Sequence, residues 1–470
     1  MANGGWLAKP SPMQKIRSGT LAALLFGSIF IPVLPLAAAP SGVDAIRASA
    51  LTDGVAMDFT EGLTTEIGPR PAGTPQEARA RDWAVAKLQS LGFSNVRAEP
   101  YTMPVWLRGR DEVRVISPFP QNLVLAALGN SASTPDKGIE GEVVYFPTLA
   151  DLEAAPEGSL KGKIAFVSHA MHATQDGSSY GYFGATRRQG PSIASKKGAI
   201  AILIRSIGTD NHRQPHTGVQ MWADGVKPIP AAALSVPDAE QLTRLVSRGQ
   251  PVRLHLTLAS KMLKDQPSGN VVAEIPGSDH QAGVVVAACH LDSWDQGTGA
   301  IDDGAGCGIV AAAALQAAKG GPLRRTIRVL MAGAEEVGGN GGRAYFDAHG
   351  KEAHAMAMES DFGADRVWRV DFKLPQGHDS IARRITAGLA PLGVGASRLP
   401  AGGGSDIEPL VKAGVPVIDL QQDGTRYFDI HHTPDDTLDK IDPAQLQQNV
   451  AAWAVALFEI ANAPESLGSN

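Results

Sequence analysis

The chain has 470 residues, 43% of them apolar and 19% charged, with a formal charge of -6. This is an ordinary composition for a soluble globular protein of one to three domains, and it excludes disordered and fibrous classes. A weakly acidic chain advertises no basic face, so nucleic-acid binding has no support.

Residues 1–39 read as a secretory signal. Lys9, Lys15 and Arg17 give a positive front, Leu21 to Leu36 is nearly uncharged, and Ala37-Ala38-Ala39 supplies a small-residue end. Pro32, Pro35 and that small-residue end favour cleavage over an uncleaved anchor. No later apolar run is long enough to span a bilayer. The expectation is a secreted or periplasmic protein without membrane contact after cleavage.

Residues 40–125 read as the first part of the main domain. Gly68 to Gly73 is a loop. Thr74 caps a helix with Pro75 in its first turn, and Glu77 completes a capping box. Ala80, Ala84, Leu88 and Leu91 then recur at helical spacing, and Gly92 stops the helix. Residues 126–262 have a different texture and read as an inserted α/β domain. Short apolar runs at Gly141–Phe146, Gly162–Val167 and Ala199–Ile204 predict strands, with helices at Gly190–Lys197 and Val236–Val246. His212, Arg213, His216 and Trp222 in this block either line a substrate site or pack a loop.

Residues 263–470 alternate strand and helix. Val284–Cys289 is continuously apolar, as in a strand buried on both faces. Ala305–Ala318 predicts a helix. Thr326–Ala332, Ala355–Met358 and Val415–Leu420 predict further strands, and Asp442 caps a last helix reaching about Ala461. The fold class expected is α/β, a mixed, mostly parallel central sheet sandwiched by helices. The two cysteines, Cys289 and Cys307, lack a CxxC spacing and read as two buried small apolar side chains.

Acids and histidines gather at the predicted strand ends. His290 and Asp292 follow one strand, Asp302 and Asp303 open a helix after a Gly-rich loop, Glu335 and Glu336 follow a second strand, and Asp361 a third. His431 and His432 precede the last helix. Open α/β sheets form sites outside the carboxyl ends of their strands. Imidazole and carboxylate suit zinc, and two histidines with three carboxylates serve two metals if one carboxylate bridges. Of adjacent Glu335 and Glu336, one is a ligand and the other a base. Asp292, two residues past His290, is placed to accept the second imidazole N–H. Taken singly, each of these is an ordinary turn, cap or surface pair; their joint occurrence raises the metal reading above that.

The run Cys289-His290-Leu291-Asp292-Ser293-Trp294-Asp295, followed by Gly299-Ala300-Ile301-Asp302-Asp303-Gly304-Ala305-Gly306, resembles the cocatalytic zinc aminopeptidase and glutamate carboxypeptidase family. Ala334-Glu335-Glu336, Met358 to Asp361 and His431 to Thr437 continue the likeness in order, and Pro215 to Gln220 belongs to it too. The resemblance implies two Zn2+ per chain, with His290 and Asp361 on one, Glu336 and His432 on the other, and Asp302 bridging both, its own peptide bond to Asp303 being cis. It implies Glu335 as general base and Asp292 as the group that orients His290. It further implies a protease-associated (PA) domain at 126–262 over the active site, hydrolysis of dipeptides or short peptides, and a homodimer. Gly402 to Asp406 resembles a loop beside the substrate but lacks the His and Glu expected there. A tyrosine that steadies the tetrahedral intermediate in the glutamate carboxypeptidases is replaced by His431, which either supplies that hydrogen bond or packs. Aminopeptidase action on longer peptides, an inactive receptor on the same fold and a one-zinc acyl-transfer cyclase are the rival readings.

Overall fold

A computed structural model describes residues 42–468; the proposed signal segment lies outside them. In chain order the strands are β1 (Ser94–Leu107), β2 (Asp111–Ser117), β3 (Gln121–Leu123), β4 (Leu125–Ala127), β5 (Ile139–Phe146), β6 (Ile164–Val167), β7 (Ala201–Arg205) and β8 (Ala231–Leu234). They continue as β9 (Arg253–Leu258), β10 (Lys261–Ile275), β11 (Val284–His290), β12 (Ile327–Ala332), β13 (His354–Glu359), β14 (Val367–Lys373), β15 (Gly395–Ala396) and β16 (Val417–Gln422). They make two eight-stranded sheets, ordered β1-β10-β12-β11-β13-β16-β14-β15 and β3-β2-β9-β5-β6-β7-β8-β4. The second sheet draws all its strands from residues 111–258.

The centre of the first sheet is parallel, β12-β11-β13-β16, and its flanks are largely antiparallel. Its core explains the continuous apolar run of β11. Val285, Ala287 and Cys289 enter the core shared with the helices Ala305–Lys319 and Pro443–Ala461. Val286 and Ala288 point the other way, towards Tyr345 and Leu410 of the helices Asn340–His349 and Glu408–Lys412. Because side chains alternate along a strand, a strand covered on both faces must be apolar at every position. Trp453 is the largest fully buried side chain on the last helix.

The second sheet is covered in the same way. Ala165, Val167, Ile202 and Ile204 pack on the large core, and Phe166 and Leu203 pack with Leu242 and Leu245 of the helix Val236–Val246. The helix containing Pro191 begins earlier than its Gly190 start suggested, at Ala185. Pro191 falls in its second turn, and the glycine before it is no boundary. Among the described residues no helix is long and apolar enough to cross a membrane.

Two local expectations are corrected. Thr74 does cap its helix, accepting from the Glu77 N–H at 3.3 Å. The Glu77 carboxylate, however, turns to the Gly73 N–H at 2.9 Å and the Ser268 hydroxyl at 2.8 Å, so the box is not reciprocal. Burial beside Arg81 gives it better partners than the cap residue's own amide. The two cysteines are buried, as expected, but they form a disulfide. The β11–helix turn brings their Cα atoms to 5.2 Å, well inside bonding range. Eighteen residues of separation hid that proximity from sequence reasoning.

Candidate metal centre

Three adjacent parallel strands end together. β11 closes on His290, β12 leads through Gly333 and Ala334 into Glu335 and Glu336, and β13 leads through Ser360 into Asp361. Asp302 arrives from the loop between β11 and its helix, and His431–His432 from the loop after β16. Glycine is required at 306: a Cβ there would sit 2.1 Å from Asp303 Oδ1 and 2.2 Å from the Ser360 carbonyl. That close approach folds the Asp302 loop against the end of β13.

All five expected ligand residues converge. His290 Nε2 lies 3.1 Å from Asp302 Oδ1 and 3.4 Å from Asp361 Oδ1. His432 Nε2 lies 3.2 Å from Asp302 Oδ2 and 2.9 Å from Glu336 Oε2. Asp302 therefore turns one oxygen to each histidine. It belongs to two groups of ligand atoms, each mutually within 4.8 Å: one with His290 and Asp361, the other with His431 and His432. His431 stacks on His432 at 3.5 Å between ring centres and reaches only Asp302, at 3.4 Å. The Asp302–Asp303 peptide is cis.

The electrostatics are those of an acid excess sealed from water. Burial works against charge on His290 and His432, yet Asp361 beside the first and Glu336 beside the second hold both well above the ordinary histidine range. Burial and nearby Asp361 push Glu335 up to about 8, and burial pushes Glu336 up to about 7. Asp302 is buried too, but hydrogen bonds from His290 and His432 hold it well below the usual carboxylate range. Burial and the adjacent His432 keep His431 neutral. Glu336 Oε1 is buried with no hydrogen-bond donor. Orphaned buried acceptors of this kind are uncommon and call for a partner such as an ion.

Asp292 is placed differently from expectation. The His290 Nδ1 atom is 3.0 Å from the Asp292 backbone carbonyl and 3.6 Å from its carboxylate. The carboxylate instead accepts the Glu335 backbone N–H at 3.0 Å. Glu335 Oε1 accepts from the Ser405 hydroxyl at 2.5 Å, so the Gly402–Asp406 loop does reach the centre.

Sequence reasoning missed two supports. Arg70, fully buried, donates to the carbonyls of Leu291 at 2.5 Å, Thr298 at 2.6 Å and Gly299 at 2.8 Å, tying the His290 and Asp302 loops together. Its one signal is an arginine between two prolines in a Gly-flanked loop. Asp436 accepts from the backbone N–H of Ala300 and Ile301, at 2.8 and 2.7 Å.

The centre floors a cavity of about 680 Å³. Its walls include Glu335, Phe362 and Ser405 from the first sheet's loops, and Tyr180, Arg187 and Val219 from the segments that connect the second sheet's strands. His212, Arg213, His216 and Trp222 do not line it. Arg213 pairs with Asp238, His216 is buried between Asp210 and the His431 carbonyl, and Trp222 donates to Asn130. His212 lies 3.4 Å from Asp435.

This chain is similar to known proteins in sequence and in fold. The profile of Peptidase family M28 matches residues 270–457, which span β11 to the last helix and all five expected ligand residues. Carboxypeptidase Q of Mus musculus is 34% identical over 409 residues, covering 86% of this chain and 85% of that protein. The crystal structure of a peptidase M28 precursor from Shewanella amazonensis SB2B is 45% identical, covers 91% of this chain and 97% of its own, and superposes with a TM-score of 0.88. The chain belongs to peptidase family M28. It is a metallopeptidase. The fold of this M28 chain is shared further afield with a zinc aminopeptidase from Bacillus subtilis, 20% identical, with a TM-score of 0.63 over 88% of this chain and 98% of that one. The match to the Shewanella relative covers 91% of the M28 chain, more than the residues outside the second sheet's 111–258 region could supply.

Proposed function

We propose that this chain is an exported two-zinc peptidase acting on dipeptides and short peptides. The observation that carries the proposal is Asp302, whose two oxygens face two separate sets of ligands. His290 and Asp361 would hold one zinc and Glu336 and His432 the other, with Asp302 placed to serve both. The donor set fits: imidazole and carboxylate only, an acid excess that two divalent ions would neutralise, and an unpaired oxygen on Glu336. When bound, the metal pair polarises the scissile carbonyl and lowers the pKa of the attacking water.

The rest is done by the chain's own side chains. Glu335 takes the proton of the attacking water on its carboxylate and hands it to the leaving amine. Asp292 fixes its backbone and Ser405 its carboxyl, which sets the direction of transfer. Asp292 orients His290 chiefly through its carbonyl. His431, kept neutral and lining the cavity, donates a hydrogen bond to the oxyanion as it develops. The block 126–262 is a PA-type cover that narrows the site to short substrates, and the chain works as a homodimer. Export is supported by the signal-like leader and by the Cys289–Cys307 disulfide, which persists in oxidising compartments.

The names of relatives point to both peptide ends: carboxypeptidase Q on one side, aminopeptidase YwaD of Bacillus subtilis, 25% identical, on the other. Aminopeptidase action on longer peptides is therefore the second reading. A panel of dipeptides, free or blocked at either end, separates the two: tolerance of a long carboxyl-side extension favours the aminopeptidase. The chemistry is tested by Glu335→Gln, expected to retain its zinc while losing about 10^3-fold in turnover. Wild-type turnover in that variant would sink the assignment of the base.

A further inference from the structure

The protein has several buried arginines, and all but one are saturated. Arg70 donates to four backbone carbonyls, and so does Arg325, with Ala282, Ile460, Ala463 and Glu465. Arg328 pairs with Glu274 and Glu352. Arg187 differs. It is only 5% exposed, yet its one carbonyl acceptor is that of Thr217, 3.3 Å from Nη1, and the other atom in reach, His432 Nδ1, lies 3.3 Å from that same carbonyl. Its Nε is buried without a partner. Among the described residues no carboxylate lies within 4.0 Å of its guanidinium, although acids crowd the cavity floor it overlooks. A buried, uncompensated guanidinium is costly, and proteins usually pair it.

The position is nonetheless built. The guanidinium carbon lies 5.3 Å from the centre of the Tyr180 ring. Gly218, with φ of +131°, leaves the space it fills: a Cβ there would come within 2.2 Å of Nη1. Nη1 is also 3.5 Å from His432 Nδ1, so one imidazole ring separates Arg187 from the ligand atoms of the centre. The other cavity arginine, Arg343, is exposed and already engaged by the Gly338 carbonyl and Asn340.

We infer that Arg187 is the carboxylate anchor of the substrate site, binding the free C-terminal carboxylate of a peptide whose last residue lies on the leaving side of the scissile bond. This rests on the peptidase reading above and supplies its end preference. A guanidinium binds a carboxylate through paired N–H donors, and the unpaired edge of Arg187 offers them. The anchor comes from the second sheet's helix Ala185–Lys196, while the reacting groups come from the first sheet.

The test uses the zinc-loaded full-length enzyme and two substrates, a free dipeptide and the same dipeptide amidated at its C-terminus. The kcat/KM ratio of free over amidated is measured for wild type, Arg187→Ala and Arg187→Lys. A charge-assisted pair is expected to give a wild-type ratio of about 10- to 100-fold. In Arg187→Ala the ratio falls to near one, because the free dipeptide loses activity and the amide does not. Arg187→Lys keeps the charge and restores part of the ratio, which guards against an alanine variant that fails to fold. If Arg187 serves only to position Thr217 and His432, both substrates lose activity by the same factor and the ratio stands, overturning the inference. A wild-type ratio near one overturns it as well and leaves the peptidase reading intact. Cleavage of neither substrate by wild type overturns both.

Discussion

The two walls of the cavity differ in what they leave unpaired. The first sheet's wall gathers acids around His290 and His432 and leaves carboxylate oxygens without donors. The second sheet's wall leaves the Nε edge of a buried guanidinium without an acceptor. The first wall awaits cations and the second an anion. The difference teaches that reaction and recognition are placed on separate sheets, so a substitution in one should change turnover and a substitution in the other should change which peptide ends are accepted.

The sharpest way to break that division is Glu335→Gln. Its loss of about 10^3-fold should fall equally on free and amidated substrates, since proton transfer is indifferent to the distant carboxylate. An end-dependent loss would merge the two walls. Arg187→Ala should show the opposite pattern, with end preference lost and the amide's rate kept.

Arg70→Ala comes next. Removing a buried guanidinium strands the carbonyls of Leu291, Thr298 and Gly299, and should cost about 4 kcal/mol in chemical denaturation. Arg187→Ala strands one carbonyl and should cost about 1 kcal/mol. Equal losses would mean that Arg187 is a structural tie like Arg70.

The smallest effect is on pH dependence. With metal removed, Glu335 and Glu359 are each held at about 8 against an ordinary 4.5, both chiefly by burial and nearby Asp361. The folded state therefore binds more protons than the unfolded one between those values, and stability falls as pH rises through the window. The chelated protein should be more stable at pH 5 than at pH 8, by roughly 1 kcal/mol or more. Zinc loading should reverse the trend, because ligands bind metal deprotonated. A chelated protein more stable at pH 8 would contradict the acid excess of the first wall.

Legibility in the sequence follows the same division. The first wall was readable because its ligands leave the ends of strongly apolar strands, and β11 to β13 form near their expected residues. His290, Asp302, Glu336, Asp361 and His432 meet as the strand-end clustering and the family resemblance together led one to expect. The second wall was not. Arg187 sits in a Thr-Arg-Arg-Gln run on a helix whose expected start, Gly190, lies beyond it, so no periodicity singled it out. His216 and Trp222 drew notice by residue type and turned out to be internal ties. The disulfide and the Arg70 clamp depend on tertiary approach, which a linear pattern does not encode. Glu77 kept its cap position but found better partners in the folded core.

The central claim is that Asp302 joins two metal sites. Chelated protein titrated with zinc and analysed for bound metal tests it most directly. The account predicts two zinc ions per chain in the wild type, and fewer in Asp302→Asn while the fold is retained. One zinc per chain in the wild type, or two in Asp302→Asn held as tightly as in the wild type, would contradict it.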